Sequence, residues 1–401
     1  MPSRTSMALH ARQSEASASS SRLRLHLVFP QACDLVGIAS IPLELSDVIQ
    51  ATPALRERVQ AVHWVASAAA PFARANQCGR AHPLLAKIAY RFARGGAMLR
   101  RRTVRRMIAA CRPGDVVLLY PGLSPADTDA LRDKGAVLVH EPVNTAYPFG
   151  HLAMQRAYAA AGIPLPGKPD ESEIAEERRR LHPSDLVFVT SPLVTQSIEA
   201  MGMPPAHLMP TSYGFNPRTF RPVRRPAAKC RFVFVARGSV RKGLPVLLAA
   251  WMQARIDGQL ILVGGVEPDV AAHCEAALRH PSVEMRPFTR DLAGPYSDAD
   301  VFVLPSFEEG SPLVSYLALA AGLPCLLSPA ASGWVVRDGR EGIVQEPDDV
   351  AALVDNMRRL AEDRELRVRL GAGAAQRANE YTWERVATQR IDAIERALRL
   401  R

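Results

Sequence analysis

Short apolar runs recur along this chain, separated by longer stretches of helical character. In the first half they are LRLHLVF from Leu23, VVLLY at 116–120, AVLVH at 136–140 and LVFVT at 186–190. A second series, RFVFVA at 231–236, QLILVG at 259–264 and VFVLP at 301–305, follows a proline-rich basic stretch, Arg221 to Pro226, that has no apolar periodicity. Strand-length runs alternating with helices predict parallel sheets covered by helices, with ligands at the carboxyl ends of the strands. The chain therefore reads as α/β, with two doubly wound domains over 23–215 and 231–401 and a linker over 216–230. From Asp348 onward only helical spacing remains (Leu353, Met357, Leu360, then Val386, Ile391, Ile394, Leu398), and these helices are expected to close the second domain. Residues 1–22, rich in serine, alanine and arginine and lacking an apolar centre, are expected to form a disordered tail rather than a signal peptide.

Composition narrows this picture only slightly. With 401 residues, 48% of them hydrophobic, the chain can bury two ordinary cores, and no apolar run approaches the ~18 residues that a membrane span needs. Six scattered cysteines form no CxxC pair and no cluster with histidine, so neither a metal site nor a disulfide framework is expected, and a reducing cytoplasm fits. The net charge of +10 permits attraction to phosphates, nucleic acid or an anionic membrane. Because only five of the fifty basic residues are lysine, the bias reflects genome composition as readily as function. Aromatic residues at 6%, with no zinc-finger, helix-turn-helix or RNP pattern, argue against nucleic-acid binding. The run from Arg91 to Met107 interleaves arginines with Phe92, Met98, Leu99, Val104 and Met107. It reads either as peripheral contact with an anionic bilayer at the inner membrane face or as a solvated helix face.

Two clusters carry candidate chemistry. After the strand ending at Ala236 comes Arg237-Gly238-Ser-Val-Arg-Lys242-Gly243, which sets a small residue and long cations where a strand turns into a helix near Leu244. Unpaired N–H groups at a helix start, with fixed positive charge beside them, suit a diphosphate; the alternative is an exposed basic loop. The second cluster is Pro305-Ser-Phe-Glu-Glu309-Gly310-Ser-Pro-Leu313-Val314-Ser-Tyr-Leu317. A helix beginning near Pro312 would present the N–H groups of Leu313 and Val314 to a bound anion. Glu309 beside that helix start reads equally as an ordinary charge near the macrodipole or as a ligand contact.

In family order, the stretches FVFVARGSVRKGLPVLLAAW, LILVGG, VEMRPF, YSDADVFVLPSFEEGSPLVSYLALAAGLPCL, SGWVVRDGREGIV and YTWERV resemble the donor domain of glycosyltransferase family 4, retaining enzymes of the GT-B fold. TSYGFNPRTFRP resembles that family's domain-joining segment. The resemblance implies two Rossmann-like domains facing a cleft, a nucleotide-diphosphate sugar as donor, UDP- or GDP-linked, and an acceptor that is a sugar, glycolipid or small molecule, with no cofactor and no metal. By position, it implies that Arg237 and Lys242 contact the diphosphate, with Gly238 and Gly310 in the binding loops. Glu309 would stand beside the sugar, and the backbones of Leu313 and Val314 would meet phosphate or sugar.

This chain departs from the family pattern at Leu317, where the second of two paired glutamates usually bonds the ribose; either a contact is lost or leucine packs on the helix's core face. In VEMRPF, Pro287 stands where glycine is usual. The first half resembles the family only in rhythm and around VHEPVNTAYP, where His140 at a strand end would face the sugar or be an ordinary strand-end histidine, with Glu141 and Asn144 on the same loop. The glycine-rich first loop common in relatives is replaced by Pro30 to Gly37. The leading expectation is a retaining glycosyltransferase of glycan or glycolipid biosynthesis. A degenerate transferase acting as a binding or scaffold protein, and a sugar-nucleotide epimerase, are the alternatives.

Overall fold

The computed structural model describes residues 22–33, 37–68, 77–78, 93–120, 123–167 and 170–399; the expected tail, apart from Arg22, lies outside them, as do Arg91 and Phe92. Among the described residues seven strands form the first sheet: β1 (Leu23–Cys33), β2 (Val59–Ala68), β3 (Gln77–Cys78), β4 (Val116–Leu119), β5 (Val137–His140), β6 (Leu186–Val189) and β7 (Leu208–Pro210). Six form the second: β8 (Cys230–Val235), β9 (Gly258–Val263), β10 (Val283–Arg286), β11 (Val301–Leu304), β12 (Cys325–Leu327) and β13 (Gly342–Val344). Their orders are β3-β2-β1-β4-β5-β6-β7 and β10-β9-β8-β11-β12-β13, and neighbouring strands run parallel. This is the doubly wound α/β architecture that the apolar rhythm predicts. The central strands β4 and β11 are buried along their whole length, as a strand covered by helices on both faces must be.

The strand order reverses between β1 and β4 in one sheet and between β8 and β11 in the other. At such a switch point the loops that follow the two strands diverge to opposite faces and open a crevice. In the second sheet those loops are the two clusters singled out above, 236–243 after β8 and 305–312 after β11.

One expectation is corrected. The last helix, Trp383–Arg399, does not close the second domain but crosses to the first. Phe215 N–H donates to Tyr381 O (3.0 Å) and Trp383 N–H to Phe215 O (3.0 Å), so the chain passes between the halves twice, side by side. Arg58 then holds Asp392 and Glu395 at 2.6 and 2.8 Å. Helical spacing identified the helix's buried face, including Val386, Ile391 and Ile394, but spacing cannot name the surface that covers it.

Candidate functional site in the interdomain cleft

The loop after β8 ends at Gly243, which precedes the helix Leu244–Ala254 with φ of 70°. A Cβ there would lie 2.1 Å from the carbonyl oxygen of Pro305, so glycine is needed both for the backbone angle and for the approach of the two loops. Packed this closely, the loops bring two cations onto two carboxylates. Lys242 Nζ donates to Glu309 Oε1, which also accepts from Ser306 Oγ at 2.9 Å. Arg241 Nη1 donates to the backbone oxygen (2.9 Å) and Oε2 (3.1 Å) of Glu308, and lies 3.6 Å from Glu309 Oε2. Both glutamates are buried, each 4% exposed.

Glu309 makes no cap hydrogen bond to the helix that follows it. Pro312 occupies the N-cap of the helix Leu313–Ala320 and its side chain makes no cap bond, while Glu309 is engaged by Lys242. The first N–H groups of that helix, at Leu313 and Val314, are therefore available to an anion.

These groups line a cleft of about 680 Å³ whose walls include Arg237, Arg241, Lys242, Glu309, Gly310, Leu313, Val314 and Leu317 from the second half and Ile38, Val143, Asn144 and Tyr213 from the first. Arg237 stands at the rim, its side chain 72% exposed and 3.6 Å from Glu267. Leu317 is half-buried on the cleft wall beside Leu313 and Val314, whereas Tyr316, Ala318 and Leu319 of the same helix are fully buried. Gly238 is not part of the cleft wall. Its missing Cβ would lie 2.4 Å from Leu244 Cδ2, and its backbone bonds Gly265 and Glu267, so it serves the packing of the loop.

The structure does not bring His140 to this cleft. It lines a separate hollow of about 150 Å³ with Thr128, Glu177 and Arg180, and among the described residues only Val143 and Asn144 border both. Its Nδ1 is buried without a hydrogen-bond partner among the described residues. Burial first, and then the Arg180 charge, push its pKa down to about 4, so the ring is neutral at pH 7. Glu141, on the same loop, is excluded from ligand contact: it is fully buried in a two-pronged pair with Arg390 at 2.8 and 2.9 Å.

Among the described residues one group, His26, Cys111 and Asp115, has metal-ligand spacing, but His26 is already held by Trp64 Nε1 (2.8 Å) and Asp115 (2.9 Å) inside the first half. The basic run lies on the helix Ala93–Ala110, where Arg100, Arg101, Arg102, Arg105 and Arg106 are exposed. Leu99, Val104 and Met107 are buried in the protein's own core, and of the apolar residues in the run only Met98, among those described, faces out to a large extent. That favours the solvated-face alternative over bilayer contact. No described helix is long and apolar enough to cross a membrane.

Sequence reasoning missed Arg241, Glu308, Ser306 and Thr145. The doublets Arg241-Lys242 and Glu308-Glu309 were visible, but adjacency does not say that both members of each pair face one another across two loops.

Residues 229–363 match the family described as glycosyl transferases group 1. The D-inositol 3-phosphate glycosyltransferase of Xylanimonas cellulosilytica is 29% identical over 286 residues, 67% of this chain and 65% of that protein. The MMP alpha-(1->4)-mannosyltransferase of Mycolicibacterium hassiacum is 30% identical over 227 residues, 53% of this chain and 54% of that protein. The D-inositol 3-phosphate glycosyltransferase of Arthrobacter sp. is 28% identical over 200 residues, and the match spans 47% of its length, so the likeness covers about half of such relatives. Among solved structures, sucrose-phosphate synthase of Thermosynechococcus elongatus superposes with a TM-score of 0.68 at 19% identity, covering 95% of this chain and all of that one. Anabaena Alr3699/HepE in complex with UDP-glucose gives 0.66 at 15%, covering 94% and 100%. At these identities the likeness is one of fold.

Proposed function

We propose, from the match of residues 229–363 to the glycosyl transferases group 1 and from the GT-B fold, that this chain moves a sugar from a nucleotide-diphosphate sugar to an acceptor hydroxyl with retention of configuration. The observation that carries this reading is the convergence at one switch point of Lys242, Arg241 and Arg237 with the uncapped start of the helix Leu313–Ala320, around the buried Glu309. The departing nucleotide carries the charge that develops in the reaction, and fixed cations with oriented N–H groups are the means of stabilising it. An incoming diphosphate would take Lys242 from Glu309 and leave that carboxylate to bond the sugar hydroxyls. The acceptor would approach from the first half, past Asn144. UDP- or GDP-linked sugars are the donors to try first.

Leu317 supports a second reading. A leucine on the cleft wall offers a ribose no hydrogen bond, which is what a weakly active or purely binding descendant of the family would show. The test is release of nucleoside diphosphate by purified protein from a panel of UDP- and GDP-linked sugars, with the anomeric configuration of the product read by NMR. Glu309→Ala and Lys242→Ala are each expected to lower turnover about 10²- to 10³-fold, as loss of one preorganised charge-stabilising group does. Unchanged turnover would remove these residues from the site; nucleotide binding without turnover of any sugar would favour the second reading.

A further inference from the structure

Glu308 precedes the carboxylate assigned to the sugar, and its own contacts lead elsewhere. Its Oε1 accepts from both the backbone N–H (3.0 Å) and the Oγ1 (2.9 Å) of Thr145, which belongs to the first half, between β5 and the helix Tyr147–Ala161. Its Oε2 accepts from Arg241, neighbour of Lys242 in the second half. Two residues on, a Cβ at Gly310 would lie 2.0 Å from the carbonyl oxygen of Val143, so the loops 308–310 and 143–145 meet backbone to backbone. Thr145, Glu308, Arg241, Glu309 and Lys242 thus form one unbroken chain of polar contacts from the acceptor side of the cleft to the cations.

We propose that Glu308 is a positioning residue that couples closure of the two halves to the placement of Arg241 at the donor site. The inference rests on the function proposed above. A carboxylate suits this task because it accepts several bonds at once, and those to an ionised oxygen are about twice as strong as neutral ones. Separation of the halves costs Glu308 both Thr145 donors, while Arg241 keeps its contacts to Glu308 and Glu309 but loses, through Glu308, their tie to the first half. Glu308 touches no reacting atom. Its loss therefore falls on the step that needs both halves, and not on nucleotide binding, which the second half provides.

Glu308→Gln keeps the shape but replaces an acceptor with a donor that faces donors, and Thr145→Val removes the hydroxyl while keeping the backbone N–H. The expected result for Glu308→Gln is a fall in kcat of about tenfold or more, with donor KM and nucleoside-diphosphate affinity within about threefold of the parent. Thr145→Val should give a smaller fall of the same kind, and the double variant should be no slower than Glu308→Gln alone, because the two changes break one contact. Multiplying losses in the double variant, or an unchanged kcat in both single variants, overturns the coupling. Amide hydrogen exchange over 141–146 in the ligand-free protein gives an arm that needs no turnover. Faster exchange at the amide of position 145 in both variants supports the coupling even if no sugar nucleotide is consumed, a result that would overturn only the proposed function. Unchanged exchange alongside normal turnover overturns the coupling and leaves that function standing.

Discussion

Leu317 shows how one side chain separates two accounts of the same site. Set among the cleft-lining residues and packed only in part against the core, it is spared the complete burial of its neighbours Tyr316, Ala318 and Leu319. A carboxylate at 317 would then stand at the cleft, where water and a ribose can both reach it, rather than in the core, where it would cost several kcal/mol. Leu317→Glu is expected to tighten nucleotide binding by about 1.5–3 kcal/mol, roughly ten- to a hundredfold, with little change in melting temperature. Calorimetry with UDP and GDP, together with a melting curve, checks it. A lower melting temperature without a gain in affinity would return Leu317 to the core-packing account. Glu309 illustrates the complementary case: local sequence left two readings equal, and the structure adds a partner, Lys242, 67 positions away.

The elements repeat this lesson at greater length. Continuous apolar runs identified the central strands because burial on both faces leaves little room for polar residues. The helix Trp383–Arg399 was equally legible as a helix, yet its partner was not. At its centre Arg390 is 1% exposed, forks onto Glu141, and donates to Ser212 O (2.8 Å) and Thr211 Oγ1 (3.0 Å) of the first half. Removing one member of such a pair strands the other's charge in the interior, so Arg390→Met should cost about 3–5 kcal/mol. Adding Glu141→Gln removes the stranded charge and should recover part of that loss. Denaturant midpoints of the single and double variants measure both effects. A single variant within ~0.5 kcal/mol of the parent would show that the pair carries no structural weight.

The molecule as a whole carries a dependence on pH that no single element explains. His63 and His140 are each pushed down to about 4 by burial, aided at His140 by Arg180. The unfolded chain binds protons at both sites near pH 6.5, and the folded protein does not until near pH 4. Their contribution to stability is thus complete above about pH 6.5 and is lost as pH falls toward 4, by roughly 2 kcal/mol per histidine at pH 5. Melting temperature should drop between pH 7 and pH 5, and His140→Gln should flatten part of that slope. An equal slope in the variant would mean that His140 is not buried as a neutral ring.

The order of apolar runs, the turn into each helix, and the two loops with their cations and carboxylates are local properties, carried by residues a few positions apart. The α/β class and the two loops that border the cleft were therefore readable from the sequence. Which glutamate meets which cation, that His140 occupies its own hollow, that Gly238 packs a loop while Gly310 admits the other half, and that the last helix returns to the first domain depend on how surfaces separated by many tens of residues come together. Those pairings are set by shape, burial and charge across the interface, which spacing along the chain does not encode.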